Sequence, residues 1–234
     1  SNIFINKQVN NEIRDKIDKS LEKNTSNKYY FGKDFNIAKS ENGFIQYQDG
    51  LGELVLPEPS ILGDHQLYNI STSIAASRKI FNIKDEYIRN GIKNISLKAR
   101  LEEIKSGKLK DIAGNNKLVI DGGHNISASL SIANWVKNQN EEANLIVGMM
   151  KDKEHVEFIK AFENIVNSIT LIDIPNQDGA ISKEDFRKKL DSLKLNLKLS
   201  NGIEESIKSL SKNENTIILC VGSLYLAGEI LSLN

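Results

Sequence analysis

Apolar positions fall in two textures along this chain. From Leu101 onward, short hydrophobic runs alternate with amphipathic stretches. "KLVID", "NLIVGM", "SITLIDI", "LKLS" and "NTIILCV" read as strands. The segments near Ile126–Lys137, Lys153–Val166, Ser182–Leu193, Gly202–Leu210 and Leu224–Leu231 read as helices between them. Apolar strands separated by such helices imply a mostly parallel sheet covered on both faces, and right-handed crossovers make a Rossmann-like α/β layering the natural topology. Before Leu56 the pattern is more broken. A polar helix around Asn10–Leu21 precedes "KYYFG", "FNIAK", "GFIQYQ" and "ELVL", separated by glycines and polar pairs as in a small antiparallel meander. The two prolines of "LPEPS" end that pattern. "DHQLYNISTSIAASRKI" then places Leu67, Ile70, Ile74 and Ala75 at helical spacing, with Asp64 in position to cap, and a shorter helix covers about Lys84–Ile92. "KNISLKAR" reads as a connector. The expectation is a small α+β region over 1–95, then a Rossmann-like domain over 96–234.

Composition narrows this picture. With 234 residues, 39% hydrophobic and 26% charged, the chain can build ordinary cores without staples. Its 31 basic and 31 acidic residues cancel, so no global field recruits nucleic acid or a membrane surface. The single cysteine, Cys220, excludes an internal disulfide and lies in the apolar run "TIILCVG", where a buried core residue is expected. No apolar stretch is long enough to span a bilayer, and the default expectation is a cytoplasmic monomer. The chain opens "SNIFINKQ" without methionine. Ser1-Asn2 reads as the remnant of a cleaved tag, and a longer parent protein is expected.

Two strand-to-helix turns carry the candidate chemistry, because ligands of open parallel sheets collect outside the carboxyl ends of the strands. In "LVIDGGHNISAS", Asp121 ends a strand, Gly122 and Gly123 permit a tight or left-handed backbone, and Asn125 can cap the next helix. The helix start suits a carboxylate or phosphate, and His124 projects into the same space. In "LCVGSLYLAG", Gly222-Ser223 forms a similar turn with a hydroxyl. Plain capping with a solvated histidine explains the first turn about equally well. The three histidines, His65, His124 and His155, have no metal-ligand spacing, and the G-x-S-x-G elbow is missing. His155 in "KDKEHVEF" reads as a solvated helix residue, and Trp135 as core. No G-x-x-x-x-G-K-[ST] phosphate loop occurs: Gly32-Lys33 and Gly107-Lys108 are followed by Asp34 and Leu109.

Taken together, "ILGDHQLYNISTSIAA", "LKARLEEI", "LVIDGGHN", "VGMMKDK" and "CVGSLYLAGEIL" resemble, in order and spacing, the carboxy-terminal portion of the folylpolyglutamate synthase/dihydrofolate synthase family, in the Mur ligase superfamily. The resemblance implies an ATP-dependent ligase that phosphorylates a folate or dihydropteroate carboxylate and joins the acyl phosphate to L-glutamate. ATP and Mg²⁺ are the implied cofactors, with the metal site, the P-loop and a carbamylated lysine mainly in an upstream domain. Residues 1–95 would then be the tail of the central ATPase domain. It further implies that Asn69, with His65 and Gln66 nearby, faces adenine, that Arg100 reaches the phosphates, and that Asp121 meets the ribose hydroxyls. His124, Asn125 and Ser223 are implied at the glutamate carboxylate, with Lys153 lining the same cleft. Departures are visible: Ile126 replaces the usual proline after "HN", Ala99 replaces the usual glycine before the arginine, and "IPNQDGA" lacks the family's arginine. The alternatives are another Mur-type amino-acid ligase, or a non-catalytic Rossmann-like binding module.

Overall fold

The computed structural model describes residues 1–8, 10–40, 43–59, 61 and 64–234, the side chains of 64 and 65 excepted. The chain forms two compact units, Ser1–Ser96 and Leu97–Asn234.

In the first unit, β1 (Asn2–Ile5) is followed by α1 (Asn11–Ser20), whose first turn is capped by Asn10 accepting from the Ile13 N–H. β2 (Asn27–Tyr30) pairs in parallel with β1, and Phe4 stacks on Tyr29 with ring centroids 5.0 Å apart. "KYYFG" therefore does not belong to the meander. The short run "NIFI", too brief to stand out by periodicity, supplies its partner edge. The antiparallel meander is β3 (Phe35–Lys39), β4 (Ile45–Asp49) and β5 (Gly52–Leu56). Their alternation buries Phe35, Ile37, Ile45, Tyr47, Leu54 and Leu56 on one face. That face packs on Ile70, Ile74 and Ala75 of α2 (Asp64–Phe81) and on Ile88 and Ile92 of α3 (Asp85–Lys93). The capping side chain expected at Asp64 lies outside the described residues.

One buried ion pair fixes α2 to the meander. Arg78 Nη1 lies 2.9 Å from Asp49 Oδ1, with the two side chains only 8% and 10% exposed. Arg78 also donates to the Gly52 carbonyl, and the Tyr47 hydroxyl donates to Asp49 Oδ2. A desolvated pair needs this extra hydrogen bonding to hold together. Burial, with Asp49 beside it, pushes the Tyr47 phenol far above its ordinary range.

The second unit runs β6 (Glu102–Ile104), α4 (Lys108–Ala113), β7 (Lys117–Ile120), α5 (Ile126–Lys137), β8 (Ala143–Val147), α6 (His155–Lys160), β9 (Ser168–Leu171), α7 (Lys183–Lys189), β10 (Leu197–Leu199), α8 (Ile203–Leu210), β11 (Ile217–Val221) and α9 (Leu224–Leu233). These strands form one sheet in the order β10-β9-β8-β11-β7-β6, parallel except for β6, which runs antiparallel to β7. The fold is thus α/β with a mostly parallel sheet, as the alternation predicts. Two details differ. The helix expected over Lys153–Val166 is confined to His155–Lys160, with turns beyond it and Asn164 at a left-handed φ of 59°. β6 and α4 went unread because three and six residues are too few to display a period.

The central strands are buried on both faces, with alternate residues feeding two cores. Val119, Leu145, Val147, Leu219 and Val221 face Ile132, Phe158, Phe162 and Phe186. Leu118, Ile120, Ile146, Ile218 and Cys220 face Leu109, Ile207, Leu226 and Ile230. Trp135 packs only partly buried at the margin of the first core. Cys220 is 1% exposed, and burial pushes its thiol up to about 12. The folded chain is therefore expected to resist a disulfide exchange reagent at pH 8, with modification rising at least 100-fold in denaturant. Fast labelling of the native thiol would contradict this burial.

Candidate functional site

The two cores locate the site. The helix after β7 (α5) packs on the first face, whereas the helix after β11 (α9) packs on the second. β8, on the other side of β11, sends α6 to the first face again. The connections leaving β7 and β11 therefore diverge, which opens a crevice at the carboxyl ends of these neighbours. Three turns meet there: 121–125 after β7, 148–154 after β8 and 222–223 after β11.

Backbone hydrogen bonds stitch them side by side. The Gly222 N–H donates to the Gly123 carbonyl at 3.0 Å, and the Gly148 N–H donates to the Val221 carbonyl at 3.4 Å. The glycines supply room more than handedness. Neither Gly122 nor Gly123 has a positive φ, contrary to the left-handed option read from the sequence. A Cβ on Gly122 would run into the Leu224 side chain and come within 3.1 Å of Arg100 Nη1. One on Gly123 would lie 2.8 Å from both Ala128 Cβ and Asp121 Oδ1. Gly222 needs both freedoms: its φ is 105°, and a Cβ would lie 2.7 Å from the Gly148 carbonyl oxygen.

Asp121 is 3% exposed. Its Oδ2 accepts the Leu101 N–H at 2.9 Å and its Oδ1 the Gly123 N–H at 2.6 Å. The carboxylate thus joins the Gly-Gly turn to the 99–101 segment. There the Gly122 N–H donates to the Ala99 carbonyl at 2.9 Å, and the Ala99 N–H donates to Glu102 Oε2 at 2.8 Å. Arg100, half-buried, donates from Nη1 to the same Ala99 carbonyl at 3.1 Å. Ala99 and Leu101 both occupy the left-handed region, at φ 53° and 47°. For residues with a Cβ this costs about 1–2 kcal/mol each.

Four more of the predicted residues, His124, Asn125, Ser223 and Lys153, sit on the same edge. His124 Nδ1 lies 3.0 Å from the Gly122 carbonyl, which can only accept, so Nδ1 carries the proton and Nε2 is left for a ligand. Asn125 Oδ1 accepts the Ala128 N–H as the cap of α5. Ser223 Oγ accepts the Tyr225 N–H as the cap of α9 and is 2% exposed. Lys153 Nζ pairs with Asp152 at 2.9 Å. That hydrogen bond holds the Asp152 carboxyl below its usual range, and His124 is near enough for its charge to contribute. The turn also carries Lys151, whose Nζ donates to the Asp178 carbonyl while its N–H donates to that of Gly179, docking the "IPNQDGA" loop beside it.

His155 is a correction. Read as solvated, it is 3% exposed, with Nε2 3.0 Å from the Met150 carbonyl, Lys189 Nζ 3.3 Å from Nδ1, and the ring edge-on to Phe186. The short helix α6 turns it inward to hold the 150–154 turn, which the longer helix expected there would not have required. Asn69 belongs to the first unit, in α2, where its side chain accepts from Asn6 Nδ2 at 2.9 Å and donates to Gln66 Oε1 at 3.2 Å. His65 lies in the first turn of α2, and its side chain lies outside the described residues. Among the described residues no three His, Cys, Asp or Glu side chains are grouped to hold a metal ion, and no helix is long and apolar enough to cross a membrane.

Residues 105–233 match the family described as dihydrofolate synthetase, C-terminal domain. The chain belongs to this family. A probable dihydrofolate synthetase from Schizosaccharomyces pombe is 22% identical over 234 residues, 90% of this chain and 52% of that protein. Among solved structures, the Mycobacterium tuberculosis folylpolyglutamate synthase complexed with ADP and AMPPCP superposes with a TM-score of 0.83 at 18% identity, covering 99% of this chain and 55% of that one. The bifunctional folylpolyglutamate synthase/dihydrofolate synthase of Yersinia pestis, complexed with AMPPNP and a Mn ion, gives 0.77 at 18%, covering 93% and 50%. At such identities the solved structures speak for the fold. The chain spans about half the length of these relatives.

Two outcomes test the geometry. Gly222→Ala adds a Cβ against a carbonyl at a left-handed φ, so a loss of about 2–4 kcal/mol in denaturant unfolding is expected. Burial first, and the Lys189 ammonium second, hold the His155 imidazole below the ordinary histidine value of about 6.5. The unfolded chain takes up this proton first, so the contribution of His155 is complete above about pH 6.5 and lost as pH falls through the lowered value. His155→Gln should flatten the fall in Tm between pH 7 and pH 5 relative to the wild type; an unchanged slope would contradict it.

Proposed function

We propose that this chain is the carboxy-terminal part of an ATP-dependent amide ligase that adds L-glutamate to dihydropteroate or folate through an acyl phosphate. The carrying observation is the meeting, at one switch-point crevice, of the Arg100 segment, the Asp121–His124 turn and the Gly222–Ser223 turn. Family membership supports the chemistry. In this reading residues 1–95 are the tail of a central ATPase domain and 96–234 the carboxy-terminal Rossmann-like domain, working as a cytoplasmic monomer.

The division of labour follows from the side chains. Asn69 and His65 serve the adenine side, and Asp121 the ribose edge. The guanidinium of Arg100 offers a fixed fork of donors suited to phosphate oxygens. Making the carboxylate an acyl phosphate turns a poor leaving group into a good one, and positive charge near the transferring phosphoryl group offsets the charge that accumulates. For glutamate, Lys153 and the capped start of α5 at Asn125 favour an anion, with Ser223 on the facing turn. With Nδ1–H committed to the Gly122 carbonyl, His124 meets glutamate through Nε2. It accepts from the amine when neutral and donates to a carboxylate when protonated. Mg²⁺ would supply charge neutralisation at the phosphates. In this reading its protein ligands belong mainly to the upstream half, where the resemblance implies the metal site.

The 234-residue chain alone should therefore release no ADP from ATP with dihydropteroate and glutamate present. Joined to the upstream half, it should do so in a glutamate-dependent manner, and Arg100→Ala should lower kcat/KM for ATP about 100-fold. Turnover by the chain alone, or preference for a nucleotide-linked peptide acceptor over dihydropteroate, would overturn the reading.

A further inference from the structure

We propose that Asp121, beside its place at the ribose edge, is a positioning residue: its carboxylate clamps a strained turn and thereby holds Arg100 in its working orientation. The inference rests on the reading of Arg100 as the phosphate contact and adds how that contact is built.

Arg100 is flanked by two residues, Ala99 and Leu101, that both carry side chains in the left-handed region. Such a conformation persists only where the surroundings over-determine it. Both residues are buried, at 4% and 2% exposure, and neither is an asparagine or aspartate that could satisfy itself locally. The fastening comes from the Gly-Gly turn. Asp121 Oδ2 takes the Leu101 N–H on one side of the arginine, and Gly122 donates to the Ala99 carbonyl on the other. Oδ1 of the same carboxylate takes the Gly123 N–H, so the clamp and the turn it reaches from are locked together. The guanidinium then lies over Gly122, where a Cβ would come within 3.1 Å of Nη1. A carboxylate suits this position because it offers acceptors on both oxygens. An amide offers one acceptor and turns an NH₂ toward the second N–H. Ala99 raises the demand on the clamp, since only glycine reaches a positive φ without steric cost.

The chain itself allows a test that needs no ligase activity. Asp121→Asn should speed amide exchange at Leu101 and Gly123 at least 10-fold while the sheet amides of β8 and β11 change less than threefold. Ala99→Gly removes the strain and should slow exchange at Leu101 in the wild-type background. It should also recover most of the protection lost in the Asp121→Asn chain. Unchanged exchange in Asp121→Asn, or no recovery from Ala99→Gly, overturns the clamp. If Asp121→Asn does not fold, the Ala99→Gly single variant decides by the same criterion.

A second arm measures ADP affinity of the chain joined to its upstream half. With 2′,3′-dideoxy-ADP, which removes the ribose hydroxyls, Asp121→Asn should still weaken binding, because the clamp acts through Arg100. For that nucleotide the double variant Arg100→Ala/Asp121→Asn should bind within twofold of Arg100→Ala alone. Losses that multiply, or an Asp121→Asn penalty that vanishes for the dideoxy nucleotide, would leave Asp121 as a ribose contact only and overturn the positioning role. Failure to bind ADP at all would remove the ligase reading, and the exchange measurements would still judge the clamp.

Discussion

Strand β11 is the last strand in sequence and lies near the middle of its sheet. It pairs with β8 through all five residues and with β7 through four. Every feature of the crevice depends on that insertion. The Asp121 N–H donates to the Cys220 carbonyl, the Gly222 N–H to Gly123, and the Gly148 N–H to Val221, so the register of β11 sets how the three turns meet. A slip of one residue would turn Cys220 toward the face that holds Leu219 and exchange the two cores. The register is therefore specified by burial on both faces, and the turns inherit that precision. The closure is long-range: β7 and β11 are separated by three strands and four helices, a topology that folds slowly compared with local hairpins.

Given aligned strand ends, spacing at the crevice is governed by missing side chains. Gly122 admits Leu224 and Arg100, Gly123 admits Ala128 and the Asp121 carboxylate, and Gly222 admits the Gly148 carbonyl. The resulting closeness lets a single carboxylate reach backbone N–H groups on two segments. It also fixes the tautomer of His124, because the Gly122 carbonyl is brought to 3.0 Å from Nδ1. Beside it, His155 supports the 150–154 turn from below through the Met150 carbonyl. Two histidines thus act on neighbouring turns, one facing ligand space and the other buried. Burial, with the Lys189 ammonium beside it, holds the buried one below the ordinary histidine range.

Much of this was legible in the sequence, and the reason is uniform. β7 and β11 are almost wholly apolar, while β8 and β9 admit only the small polar residues Asn144, Ser168 and Thr170, because strands covered on both faces largely exclude charge. The Asn125 cap followed from the residue type and its place before an apolar helical pattern. What escaped lacks a local signature. β1 and β6 are three- or four-residue segments defined by partners far away in sequence. His155 is buried by Phe186 and Lys189, thirty-odd positions along the chain, and no feature of "KDKEHVEF" announces that. Of the two options for Gly122 and Gly123, a tight or a left-handed backbone, neither glycine takes the left-handed one, and what both supply is room. Space is a tertiary quantity that a dipeptide cannot display.

The 99–101 turn is where local preference and fold disagree most. Alanine and leucine favour helical or extended backbone, and nothing in "LKARLEEI" suggests two left-handed residues around an arginine. A natural sequence is consistent across levels almost everywhere, so a local rule broken twice within three buried residues points to something the fold requires there. The requirement has a physical form. A helical or extended segment would let the Leu101 N–H seek a partner along its own chain, whereas the double left-handed turn aims it at Asp121 across 20 residues of sequence. Ala99 keeps this geometry at greater steric cost than a glycine would, and the fastening bonds from Asp121, Gly122 and Glu102 are what hold it. Strain that is kept, buried and bonded from both sides restricts the orientations open to the side chain it carries, and here that side chain is an arginine at the mouth of the crevice.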